Sequence, residues 1–170
     1  WAYPVVTAGP DFYMLQDAVK PIAGAKASTT SPQYLWSPST YLNNVNVLNP
    51  LIVKPQDDIT YTLTVTGRGG CKTSDNVFVK ILKAPQVPNT FTPNGDGFND
   101  RWEIKYLGDY PGCIIEVYNT AGTIVYRSVG YTTPWDGNWN GHPLPAGTYY
   151  YVIDPKNERG KMKGYVTILR

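Results

Sequence analysis

The chain has 170 residues, a formal net charge of +2 and 16% charged residues, against a norm of about 25%. Helices with solvated charged faces should therefore be scarce, and an all-α protein is excluded. Lys+Arg number 15 without a basic run, so the footprint that phosphate backbones require is missing and no nucleic-acid partner is expected.

Gly 16, Pro 15 and Tyr 14 describe many short strands joined by turns. At roughly 100 to 150 residues per domain, the length suits two small domains. No stretch approaches the ~20 apolar residues of a spanning helix, so the chain is not expected to span a membrane. It begins at Trp1 rather than at an initiator methionine or a leader, and reads as a piece of a longer protein.

Strands are expected at Val5–Thr7, Val19–Ala23, Tyr34–Trp36 and Leu51–Val53. Tyr61, Leu63 and Val65 then alternate with Thr60, Thr62, Thr64 and Thr66, the pattern of a half-buried antiparallel strand. Val77, Val79 and Ile81 repeat the period after Gly69-Gly70, which predicts a hairpin over Thr60–Leu82 with its loop around Cys71–Asn76. Six or seven strands in 84 residues is immunoglobulin-like spacing, and Trp36 falls where such sandwiches bury a tryptophan.

Ala84-Pro85-Gln86-Val87-Pro88 interrupts ladder pairing and divides residues 1–84 from 85–170. Further strands are expected at Arg101–Tyr106, Cys113–Asn119, Thr123–Val129, Thr148–Asp154 and Gly164–Leu169. Asn119-Thr120-Ala121-Gly122 joins two of them as a hairpin loop. The expected fold is all-β: two immunoglobulin-like antiparallel β-sandwich domains in tandem. Cys113 alternates with Ile115 and Val117 and should pack as a small hydrophobe, unbonded to Cys71.

Catalysis has little support. His142 is the single histidine and lies in a turn-rich segment, which leaves no triad or zinc spacing to build on, so no enzyme is expected. The segment Thr92–Asp100 offers Asn94, Asp96, the Phe98 carbonyl and Asp100 at a spacing that can curl around calcium. The same Asn-Gly and Asp-Gly pairs are also plain turn formers. Trp135 and Trp139 stand four apart, either as a stacking platform for sugars, with Tyr149 to Tyr151 beside them, or as packing within the sandwich.

Five ordered motifs are recognisable: Pro88–Asp100, Glu116–Gly122, Pro134–Gly137, Leu144–Tyr151 and Gly164–Arg170. In this order they resemble the gliding motility-associated C-terminal domain, the type B sorting domain of the type IX secretion system, from Val87 to Arg170. The hairpin loop departs from the family, reading Asn-Thr-Ala-Gly where an Asn-Arg-Trp-Gly type is frequent, which leaves no exposed arginine there.

Ala8-Gly9-Pro10-Asp11, Trp36-Ser37-Pro38, Tyr61–Val65 and Gly70-Cys71 resemble, more loosely, the PKD or immunoglobulin-like repeats that precede such domains in surface adhesins. The early cysteine that pairs with the Cys71 equivalent in many of these repeats is lacking here. Trp1–Pro4 then resembles the tail of a preceding linker.

The resemblance implies a C-terminal address read by the type IX outer-membrane translocon and by a dedicated PorP/SprF-type barrel protein. Its cargo, a gliding adhesin by the same resemblance, would be delivered to the cell surface or the medium. The expected recognition surface is the exposed edge of the last strand, Gly164, Tyr165, Val166, Thr167, Ile168, Leu169 and Arg170, on a monomer. The competing reading is a carbohydrate-binding or adhesive module.

Overall fold

A computed structural model describes residues 2–170; Trp1, the first residue of the expected linker tail, lies outside them. The chain divides into two compact units, residues 1–83 and 84–170. Among the described residues the regular structure is strand apart from one short 3-10 turn.

In the first unit β1 (Val5–Thr7) pairs with β4 (Lys26–Ser28), and β3 (Val19–Pro21) with β6 (Leu51–Val53), as two antiparallel ribbons. A four-stranded sheet runs in the order β2 (Phe12–Leu15), β8 (Lys72–Leu82), β7 (Ile59–Thr66) and β5 (Gln33–Ser37). Its inward row of Trp36, Tyr61, Leu63, Val65, Val77, Val79 and Ile81 forms one core with Ala8, Ile22, Ala25 and Ile52 from the ribbon segments. The Trp36 indole donates to the Val47 carbonyl at 2.9 Å and the Tyr61 hydroxyl to the Thr40 carbonyl at 2.7 Å, so the polar end of each ring is satisfied as it is buried. Burial pushes the Tyr61 phenol up to about 12.

Two features of this unit correct the sequence reading. The expected loop at Cys71–Asn76 is strand from Lys72 onward, and the turn is closed instead by Gly67 donating to the Cys71 carbonyl at 2.9 Å. The polar residues of this segment suggest a loop, yet two of them find partners within the fold: the Ser74 hydroxyl lies 2.9 Å from that of Thr64, and Asp75 accepts the Ala8 N–H at 2.8 Å. The sheet is also not wholly antiparallel, because β2, which the sequence reading omitted together with β4, pairs in parallel with the end of β8.

The second unit holds a five-stranded sheet. Its strands are β9 (Thr90–Phe91), β10 (Ile114–Tyr118), β11 (Ile124–Val129), β14 (Gly147–Asp154) and β15 (Met162–Ile168), ordered β11-β10-β14-β15-β9. Between them β12 (Asn138–Trp139) and β13 (His142–Pro143) form a small hairpin. The core side of the sheet, with Phe91, Ile115, Val117, Tyr149, Ile153, Val166 and Ile168, is covered by Trp102, Ile104, Leu107, Tyr110, Tyr131, Trp135 and Leu144.

The expected strand Arg101–Tyr106 is the main correction here. Trp102 and Ile104 are buried and their neighbours exposed, so the alternation is real. The backbone, however, bridges two different partners, Trp135 from Trp102 and Gln86 from Lys105, and Tyr106 at φ 66° then turns it into the 3-10 segment Leu107–Asp109. Both cysteines are free; Cys113 is buried and its thiol is pushed up by burial.

Candidate functional site

The loop that the spacing offered to calcium is a turn clamped by its own side chains. Asp100 Oδ1 accepts the N–H of Asn94 at 3.0 Å and of Gly95 at 2.6 Å, while Oδ2 accepts that of Gly97 at 2.8 Å. Asn94 Oδ1 takes the Asp96 N–H at 3.0 Å, and Asp96 Oδ1 the Phe98 N–H at 2.8 Å. The Asn94 amide donates to Asp96 Oδ2 at 2.9 Å, and the Phe98 carbonyl accepts from the Thr92 hydroxyl at 3.3 Å. Gly95 at φ 81° and Gly97 at φ 90° supply the left-handed positions this curl requires.

Asn94, Asp96, Phe98 and Asp100 are thus brought together, with the side-chain oxygens turned toward backbone donors. The N–H of Gly95 foremost, then that of Gly97, holds the Asp100 carboxyl below the ordinary carboxylate range. A folded value below the unfolded one, about 3.9, contributes stability that is full above the unfolded value and lost as pH falls through the folded one. Asp100→Ala should therefore lower the melting temperature at pH 7 and flatten the acid limb of the stability curve. An unchanged melting temperature at neutral pH would show that the turn holds without its clamp.

The two tryptophans do not share a surface. Trp135 is 2% exposed, stacked on Tyr126 at 5.3 Å and in contact with Phe91, Trp102 and Tyr149 at 5.5, 6.3 and 6.3 Å between ring centroids. Its indole donates to the Asn138 carbonyl and its backbone N–H to the Tyr131 hydroxyl. The Tyr131 hydroxyl in turn donates to the Trp102 carbonyl at 2.6 Å. Trp135 is therefore a core residue closed to a sugar ring, whereas Trp139 is 40% exposed on β12. Tyr149 is buried and Tyr150 exposed, so the supposed platform is divided between two sides of the sheet.

The terminal segment is likewise divided by its own alternation. Val166 and Ile168 are buried, and Tyr165 is exposed. Strand β15 is not a free edge along its whole length. It pairs with β14 throughout, and β9 lies parallel to its end, with the Thr167 N–H donating to Asn89 and that of Leu169 to Phe91. The outermost strand on the opposite side of the sheet is β11. Arg170 is tied down, its Nε donating to the Leu144 carbonyl at 3.2 Å and Nη1 to the Pro93 carbonyl at 3.0 Å.

Comparison with known proteins assigns this unit. The family model described as the CHU_C type IX secretion signal domain matches residues 85–168. Residues 85–168 belong to that family. The signal domain takes in the clamped turn, the tryptophan core and all but the end of the terminal segment. No curated protein matches the chain.

Among solved structures, the DIP-gamma IG1+IG2 pair is 9% identical over 98% of this chain and 97% of that chain, with a TM-score of 0.52. DIP-gamma IG+IG2 with bound Dpr11 IG1 gives 8% identity, 98% of each chain and a TM-score of 0.51. These likenesses show the immunoglobulin-like fold alone. PorZ of Porphyromonas gingivalis, a bacterial surface component of the type-IX secretion system, is 16% identical over 64% of this chain and 15% of its own, with a TM-score of 0.41.

Among the described residues no group of three or more His, Cys, Asp or Glu is placed to hold a metal ion, and no helix is long and apolar enough to cross a membrane. The sequence reading missed the partners of Trp135. They come from positions 91, 102, 126, 131 and 149, and no local pattern links these.

Proposed function

We propose that this chain is the C-terminal address of a larger exported protein, a gliding adhesin, with residues 1–83 as a PKD/immunoglobulin-like spacer ahead of a type B signal domain. The observation that carries the reading is the family match over residues 85–168. A signal domain of this kind implies export across the outer membrane to the cell surface or the medium, and contact with the secretion system. In this proposal the address is read by the translocon together with a PorP/SprF-type barrel protein. The unit acts as a monomer without chemistry of its own, its work being presentation of a rigid surface.

The packing supports that role. The clamped turn at Thr92–Asp100 and the hairpin loop, where Asn119 Oδ1 accepts from Ala121 and Thr123 at 3.0 and 2.9 Å, are stiffened by side-chain-to-backbone bonds. Such bonds replace the ladder where the chain turns. A folded, stiff domain loses little entropy on being bound.

The test is a fluorescent reporter placed ahead of residues 1–170, and ahead of residues 84–170, in a bacterium with a type IX system. Delivery of both fusions to the surface or medium is expected. Retention of both inside the cell overturns the reading, and delivery of the longer fusion alone would make the first unit part of the address rather than a spacer.

Calcium at Asn94, Asp96, Phe98 and Asp100 has its own test. The carboxylates already accept backbone hydrogen bonds, so residues 84–170 are expected to melt at the same temperature in chelator and in several millimolar calcium. Were a weak site of about 10⁻⁴ M present, tenfold excess of the ion would add about 1.4 kcal/mol by mass action, and the melting temperature would rise.

A further inference from the structure

The strand registers of the second unit line up one row of side chains across four strands. Ile124 lies opposite Tyr118, Tyr118 opposite Tyr150, and Tyr150 opposite Tyr165. This row points away from the core, because the alternate residues Val117, Tyr149 and Val166 are buried on the other side. Tyr150 and Tyr165 are 51% and 52% exposed, and Ile124 is 42% exposed.

The next row carries Arg127, Glu116, Val152 and Lys163 in register. Here Glu116 takes the Arg127 guanidinium at 3.3 Å and the Tyr118 hydroxyl at 2.7 Å. Ile114 and the exposed Val129 extend the apolar surface beyond it.

We infer that this outer face of the sheet, centred on Tyr118, Tyr150 and Tyr165, is the surface by which the signal domain docks onto a protein of the export apparatus. The inference rests on the address reading above, which requires that a protein read the domain, and it assigns that contact to a sheet face rather than to the edge of the last strand. The C-terminal end of that edge, at Thr167 and Ile168, is covered by β9. Three of the last strand's residues, Lys163, Tyr165 and Thr167, instead contribute to the face.

The composition of the face selects a protein over a saccharide. Tyrosines flanked by a paired arginine and a rim of charge are the make-up of protein interface centres. The aliphatic side chains of Ile124, Val152 and Val129 that interrupt the rings offer no flat π-surface to a sugar, and the Tyr118 hydroxyl is already held by Glu116. An exposed apolar face of this kind on a small domain marks an interaction site. The four strands that carry these rows are five to eight residues long, and at about 4.8 Å between strands and about 3.4 Å per residue they make a face roughly 20 Å across and about 17 to 27 Å along the strands. That is the order of footprint that a partner contact of about 800 Å² requires.

The test places a fluorescent reporter ahead of the full chain in a type IX-secreting bacterium and compares wild type, Tyr150→Ser with Tyr165→Ser, and Tyr165→Lys alone. The purified chains are also melted and applied to an oligosaccharide array. Wild type is expected to be exported and both variants to fall at least tenfold. Melting should shift by less than about 4 °C, since exposed substitutions seldom cost more than about 0.5 kcal/mol. If the double variant melts lower than that, Tyr165→Lys decides.

Export of a folded variant at the wild-type level overturns the docking face and leaves the address reading standing. Retention of the wild type overturns the address reading and the inference with it. Saccharide binding by wild type that the double variant loses, with export unchanged, assigns the face to a glycan and likewise overturns the inference.

Discussion

Trp135→Ala should cost the second unit about 3 to 5 kcal/mol, the range for removing a fully packed tryptophan. A domain of this size holds roughly 5 to 15 kcal/mol in all, so the variant would approach unfolding. Three losses combine. The ring gives up its stack on Tyr126 at 5.3 Å and its contacts with Phe91, Trp102 and Tyr149. The Asn138 carbonyl loses its indole donor at 3.0 Å. The vacated volume is lined by rings whose own hydrogen bonds tie them in place, Tyr131 to Trp102 and Tyr149 to Pro145, so collapse into the cavity is limited. Urea unfolding of residues 84–170 measures the change, with Trp135→Phe expected to recover part of it. A cost below about 1 kcal/mol would show that the rings repack freely and that the cluster does not hold the unit together.

Why that cluster escaped the sequence, while others did not, follows from where the signal lies. In β7 every inward position is apolar and every outward position a threonine, so the strand and its buried face are legible from eight residues. In the first half of β8 the inward positions are Thr73 and Asp75; Asp75 is satisfied by the N–H of Ala8, far away in sequence, and a local reading sees only polar loop. At 101–106 the burial pattern is legible, but its partners, Gln86 and Trp135, are not.

Parallel pairing of β2 with β8 and of β9 with β15 leaves no local trace, because each joins segments more than sixty residues apart. The clamped turn was legible as a constellation of oxygens. Their direction was not, because Asp100 and Asp96 could face either an ion or the backbone until the φ angles of Gly95 and Gly97 curl the N–H groups inward. The motifs of the second unit identified its family because they hold the turns and the core in order, whereas the exposed tyrosine row emerges only when three strand registers are laid side by side.

Gly164→Val should destabilise the second unit by about 1 to 3 kcal/mol, the usual cost of overpacking. Propensity alone argues the other way, since a β-branched residue in a strand can gain up to about 1 kcal/mol over glycine. The geometry decides between them. Gly164 stands directly opposite Tyr151, and the tyrosine side chain lies over it, so a Cβ at 164 would sit 2.5 Å from the Tyr151 hydroxyl oxygen and 2.7 and 2.9 Å from two ring carbons. Two of the three are ring atoms, and the whole ring would have to move. It is packed against Trp102 at 5.2 Å between centroids, and Trp102 is fully buried with its indole bonded to the Pro88 carbonyl at 2.7 Å. Displacement of Tyr151 therefore strains the covering layer as well as the sheet. A double-mutant cycle with Tyr151→Ala isolates the clash: Gly164→Val should be costly beside Tyr151 and neutral or stabilising beside alanine. Should valine stabilise the unit with Tyr151 in place, glycine at this position would owe nothing to the tyrosine above it.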